Sequence, residues 1–200
     1  MAQNTKYANV EFGLYPNRKL FITLHKNIDT NPHHITKLLA ALPKNSTHDH
    51  YAIMDATRIV SLNHINIAAT NALMRADKSR RGAALETVVC AAGSTNVGSV
   101  LKDYAFDQHS TAASESDSGS TYSVILLGFD VKEDEYETVM HDIGLNKPDD
   151  EENMISFFER KRSKDDIVAM TKLFKTTKQE IEMQGLERAV VNRVASKFYI

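Results

Sequence analysis

The chain has 200 residues, 42% of them hydrophobic, and a formal net charge of −2 from 24 basic and 26 acidic side chains. That length suits one domain with a sizeable core, and the near-neutral balance excludes a global field attracting nucleic acid or an anionic membrane, so any RNA contact must come from a local patch. The single cysteine, Cys90, excludes an intramolecular disulfide and fits a reducing compartment; the start MAQNTKYANV lacks an apolar signal region, and no stretch approaches the ~20 apolar residues of a membrane span.

In chain order, Leu20 to Leu24 (LFITL) predicts a buried strand between Pro16-Asn17 and Lys26-Asn27. Asn31-Pro32 then opens a helix carrying Ile35, Leu38, Leu39 and Leu42 and stopping at Pro43. Tyr51 to Met54 predicts a second strand, and Ser61 caps a helix whose apolar face runs Leu62, Ile65, Ala68, Ala69, Ala72 and Leu73. Thr87 to Cys90 (TVVC) reads as a third strand, and Ser94, Thr95 and Asn96 cap a helix bearing Val97, Val100, Leu101 and Tyr104. Residues 108–120, which carry no large apolar side chain, predict a flexible Ser-rich surface loop. Tyr122 to Phe129 (YSVILLGF) is the strongest strand, and a helix follows over Glu133 to Ile143. From there the chain turns helical, with capping boxes at Ser163/Asp166 and Thr177/Glu180. The expectation is an α/β fold: a single mixed-sheet domain over residues 1–200, with about four strands, packed helices and a helical C-terminus.

The stretch AAGSTNVGSVL, Ala91 to Leu101, tests for a phosphate-binding loop. That motif requires G-x-x-x-x-G-K-[ST], with lysine on the terminal phosphates and the hydroxyl on magnesium. Here Ser99 stands at the lysine position and Val100 follows it. An ordinary strand-to-helix turn accounts for the same residues, with glycine relieving backbone strain. His33-His34 and His48-Asp49-His50 lack the spacing of helical metal ligands and have no nearby cysteine. No nucleophile–base or paired-carboxylate arrangement emerges, so no catalytic residue, metal site or cofactor is expected. Asp55, closing the second strand, reads as a turn stabiliser bonding its own backbone. Lys78, Arg80 and Arg81 form the one tight basic cluster; they fit either a solvated helix exit favoured by the helix dipole or a phosphate-contacting patch. Arg188, Arg193 and Lys197 on the last helix fit a wet face.

The ordered signals resemble the kinase-binding subunit of the KEOPS (EKC) complex, the TPRKB-like family. Leu14-Tyr15-Pro16 with Leu20 to Leu24 resembles the family's opening strand. Asp55-Ala56 with Arg58 to Ser61, His64, Ala68 and Ala72 resembles its D-A-x-x-I-V-S-x-x-H helix entry. Arg81, Glu86, Ser94 to Val97, Leu101, Tyr104 to Phe106 and Val124 to Leu127 continue the pattern, and Leu186 to Lys197 resembles its closing helix. Departures are Ala84, standing where the family carries a histidine or serine, Gly93 in place of a proline, and the longer Ser-rich loop.

The resemblance implies a non-catalytic α/β subunit that binds the small atypical kinase/ATPase of the complex. It further implies a part in recruiting tRNA, through its 3′ end, for threonylcarbamoyladenosine modification beside the anticodon. On this reading Lys78, Arg80 and Arg81 are the RNA contacts, and the C-terminal stripe Leu186, Val190 and Val194 is the kinase contact, with packing of that stripe on the sheet as the alternative. The protein is then expected in cytoplasm and nucleus, as a monomer within a hetero-complex and away from membranes. The rival readings are an independent single-stranded RNA-binding module and a small nucleotide-binding ATPase built on Gly93 to Ser99.

Overall fold

A computed structural model describes residues 7–28, 31–41, 50–75, 82–94, 96–104, 122–145 and 148–197. Strands β1 (Ala8–Phe12), β2 (Tyr15–Ile28), β3 (Tyr51–Asp55) and β4 (Tyr122–Phe129) form one sheet in the order β1-β2-β4-β3, with every neighbouring pair antiparallel. Because β2 and β3 both run antiparallel to β4, they are parallel to each other. β4 is inserted between them, which makes a split β-α-β unit. The helices among the described residues are α1 (Pro32–Ala41), α2 (Leu62–Arg75), α3 (Ala83–Ala91), α4 (Val97–Tyr104), α5 (Glu133–Asp142), α6 (Glu151–Glu159), α7 (Lys164–Phe174) and α8 (Lys178–Ser196).

Both faces of the sheet are covered, which explains why β4 reads as a continuous apolar run rather than an alternating one. On one face Leu20, Ile22, Leu24, Met54, Ile125 and Leu127 pack into the core built by α2, α3 and the C-terminal helices. On the other, Phe21, Ile53, Val124 and Leu126 meet Ile35 and Leu39 of α1 and Tyr136, Val139 and Met140 of α5. Tyr136 lies directly over Gly128, where an added Cβ would stand 2.5 Å from two ring carbons. Its hydroxyl donates to the Leu126 carbonyl at 2.8 Å and therefore accepts from Thr23 Oγ1 at 3.0 Å. The Thr23 oxygen is in turn left to accept from His25 Nε2, also at 3.0 Å. A buried polar chain of this kind is tolerable because every member has a partner.

The expected mixed α/β fold with a helical C-terminus is the observed one, with two changes inside it. Thr87 to Cys90 is helix, not strand: it lies within α3, all four residues are buried, and neighbouring Ala83, Ala84, Leu85 and Glu86 carry strong helix propensity. β1 supplies the remaining strand as the outer half of a hairpin with β2, in register Ala8 to Ile22. β2 itself extends well beyond Leu20 to Leu24. The loop expected at 108–120 lies outside the described residues.

Candidate docking surface

The exit of β3 sets the geometry of the helical layer. Asp55 closes the strand by accepting from the Thr57 amide at 2.9 Å, the Thr57 hydroxyl at 2.6 Å and Arg58 Nε at 3.2 Å, the turn role expected of it. Ser61 then caps α2 through the His64 amide at 3.1 Å. His64 is fully buried; its Nδ1 faces the Val60 amide at 3.4 Å and its Nε2 the Ala91 carbonyl at 2.9 Å. The amide must donate and the carbonyl must accept, so the ring is neutral with its proton on Nε2. Burial lowers the His64 pKa to about 4; nearby Arg162 adds to this, and the bond to Ala91 opposes it. The histidine thus ties the start of α2 to the end of α3, and its ring meets Phe174 of α7 edge-on at 5.4 Å.

From this tie the chain turns at Gly93, whose φ of +54° follows the C-terminus of α3, as the left-handed position after a helix requires. The junction therefore joins two helices rather than a strand to a helix. Lys197 of the chain end donates to the Gly93 carbonyl. A cleft of about 570 Å³ opens between this junction, the β3 exit and α7, lined by Asp55, Arg58, Ser94, Ser99, Asp166 and Lys172 among others. Its charges balance, two acids against two bases. Asn96 Oδ1 already takes the Ser99 amide at 3.2 Å, one of the first-turn donors a phosphate would need. The loop is built as a helix junction, not as a phosphate cradle. Among the described residues no cluster of three or more His, Cys, Asp and Glu is placed to hold a metal ion, and no helix is long and apolar enough to cross a membrane.

Beyond the cleft, α7 and α8 form a hairpin held by two capping boxes. Ser163 and Asp166 exchange bonds at 3.0 and 3.1 Å, and Thr177 and Glu180 at 3.1 and 2.6 Å, so both predicted helix starts stand. The linker before α7 is pinned by Arg162, which donates to the Thr57 and Ile59 carbonyls at 3.2 and 2.5 Å. α8 breaks at Gly185, where φ 81° and ψ 160° define backbone that essentially only glycine adopts. Past the break its face is core: Ala189, Val190, Val191 and Val194 are buried, and Asn71 of α2 donates to the Val194 carbonyl at 3.0 Å. Before the break, the first part of α8 and α7 wall a groove of about 710 Å³ whose apolar lining is Ile167, Val168 and Ile181. Val168 is 67% exposed.

The residues singled out in the sequence are dispersed by this arrangement. Val190 and Val194 are fully buried, and only Leu186 of that stripe reaches the edge of the core. Lys78, Arg80 and Arg81 lie outside the described residues, between the end of α2 at Arg75 and the start of α3 at Ala83. Ala84 is buried within α3. Sequence reasoning missed the α7–α8 groove. Its available signal was Val168, an apolar residue off the Met170–Phe174 face, set among closely spaced lysines.

Fold and surface together define an α/β scaffold whose sheet-backed helical layer carries a groove with apolar lining and a rim of lysines. The chain belongs to the family described as Kinase binding protein CGI-121, whose profile matches residues 25–198. Among curated proteins none matches.

Proposed function

We propose that this protein is a non-catalytic subunit of the KEOPS (EKC) complex. It binds the small atypical kinase/ATPase subunit and helps recruit tRNA for threonylcarbamoyladenosine modification next to the anticodon. The observation that carries this reading is the match of residues 25–198 to a kinase-binding family. The kinase is held by the C-terminal helices, with Leu186 at the accessible edge and Val190 and Val194 supporting it from the core. Lys78, Arg80 and Arg81 contact the tRNA 3′ end, and the protein works as a monomer within the hetero-complex, in cytoplasm and nucleus.

The test is reconstitution of the complex with and without this subunit, measuring kinase co-elution and tRNA modification. Co-elution with the kinase, and reduced tRNA binding when Arg80 and Arg81 are reversed to glutamate, are the expected results. A chain that migrates alone beside the purified kinase refutes the reading.

A further inference from the structure

We propose that the α7–α8 groove is the seat of an acid-flanked amphipathic helix contributed by the kinase partner; this rests on the kinase-binding reading above. The first ground is shape. α7 spans 11 residues, or about 16 Å, so the groove it walls accommodates roughly three turns of a partner helix. Such a helix reads as apolar anchors at i, i+3 or i+4, and i+7.

The second ground is charge. Four lysines, Lys164, Lys172, Lys175 and Lys178, rim the groove against one acid, Glu182. That acid already stands 3.5 Å from Lys178. On a chain whose net charge is −2, this concentration is local, and it calls for carboxylates on both flanks of the occupant. The third ground is rigidity. The two capping boxes fix the starts of both walls, and Lys175 closes α7 in the left-handed region at φ +54°. The groove is therefore formed before any partner arrives, and binding does not have to order it. A fourth observation is the buried Thr176 hydroxyl in the groove wall, which has no hydrogen-bond partner among the described residues.

Val168→Asp and the double variant Lys164→Glu/Lys178→Glu test the two halves of this inference in the full chain. Val168 is largely exposed, and both lysines sit at the first position of their helices, where an acid is favoured. Thermal melts should therefore stay near wild type. Titration against the purified kinase should show Val168→Asp weakening binding by about tenfold or more. The charge reversal should weaken it about as much at low salt and flatten its salt dependence. Wild-type binding unaltered in both variants overturns the groove and leaves the kinase reading standing. Loss in Val168→Asp alone overturns the acid-flanked occupant. Absence of kinase binding by the wild-type chain overturns the kinase reading and the groove together. If phosphatidylserine vesicles bind the wild type through these lysines while kinase affinity is indifferent to them, the groove belongs to a membrane and the proposal fails.

Discussion

His64 makes the stability of this fold fall on mild acidification, by an amount that follows from its surroundings. The native ring is fully buried, neutral, and bonded on both nitrogens, and its pKa is lowered to about 4 from 6.5. As pH drops below 6.5 the unfolded chain takes up a proton at this position while the native protein does not. Stability therefore rises with pH between about 4 and 6.5, and acid removes it across that window. At pH 5 the unfolded state has gained about 2 kcal/mol from this one group, since each pH unit below the unfolded value is worth about 1.4 kcal/mol. For a chain of this size that is about 4–8 °C in melting temperature. Urea denaturation of wild type and His64→Gln at pH 7 and pH 5 isolates the effect, because other titrating groups cancel in the comparison. Glutamine cannot serve Val60 and Ala91 as the ring does, so the variant should be about 1–3 kcal/mol less stable at pH 7. At pH 5 the gap should shrink by about 2 kcal/mol, closing or reversing. A gap of equal size at both pH values would refute the neutral, buried assignment, as would an NMR titration showing His64 protonated in the native protein at pH 5.

Four further outcomes are expected. Gly128→Ala should cost about 1–3 kcal/mol in chemical denaturation, because the added methyl would stand 2.5 Å from the Tyr136 ring; a wild-type denaturation midpoint would mean that α5 yields freely. Ser163→Ala should lower stability by about 1 kcal/mol through loss of its cap on the Asp166 amide, read by thermal melt. Val190→Asp should leave the chain unfolded by circular dichroism rather than folded but unable to bind, since Val190 is fully buried and an unpaired carboxylate there has no partner. Reversing Arg80 and Arg81 to glutamate should leave the melt unchanged and weaken tRNA binding. The log-affinity against log-salt slope of about two that three cations confer should fall toward zero; an unchanged slope would return the cluster to a solvated helix exit.

What the sequence made legible was whatever has a local physical cause. Ser61, Ser163 and Thr177 each place a side-chain oxygen where the first amides of a helix need one, and each of these caps is found. Asp55 likewise bonds its own turn. TVVC failed because it is buried on every side. A helix with no wet face shows no 3.6-residue period, and the β-branched residues then speak louder than the alanines beside them. β1 failed for the opposite reason: ANVEF is a five-residue edge strand with an exposed middle, and its pairing is set by the hairpin with β2. The C-terminal stripe was visible as apolar spacing, but spacing does not say whether the face meets a partner or the same chain's α2. In the fold Val190 and Val194 are fully buried, and Asn71 of α2, far away in sequence, bonds the Val194 carbonyl.

Gly185 explains how one C-terminal helix serves both the core and the surface. In a continuous helix of about 3.6 residues per turn Ile181 would stand on the side opposite Val190, so the lining of the groove and the contact with α2 would be locked to opposite faces of one straight axis. The break at φ 81° and ψ 160° uncouples them. The part after Gly185 takes its orientation from α2 and buries its valines. The part before it takes its orientation from the Thr177 capping box and lies along α7 as the wall of the groove. No heavy atom stands within 4 Å of where a side chain at Gly185 would begin, so packing does not demand glycine there; the backbone angle does. The groove's apolar lining is consequently surplus to the folding of the core. Surface of that kind, set apart from the core by a backbone break and rimmed by lysines, is what the proposed partner helix would cover.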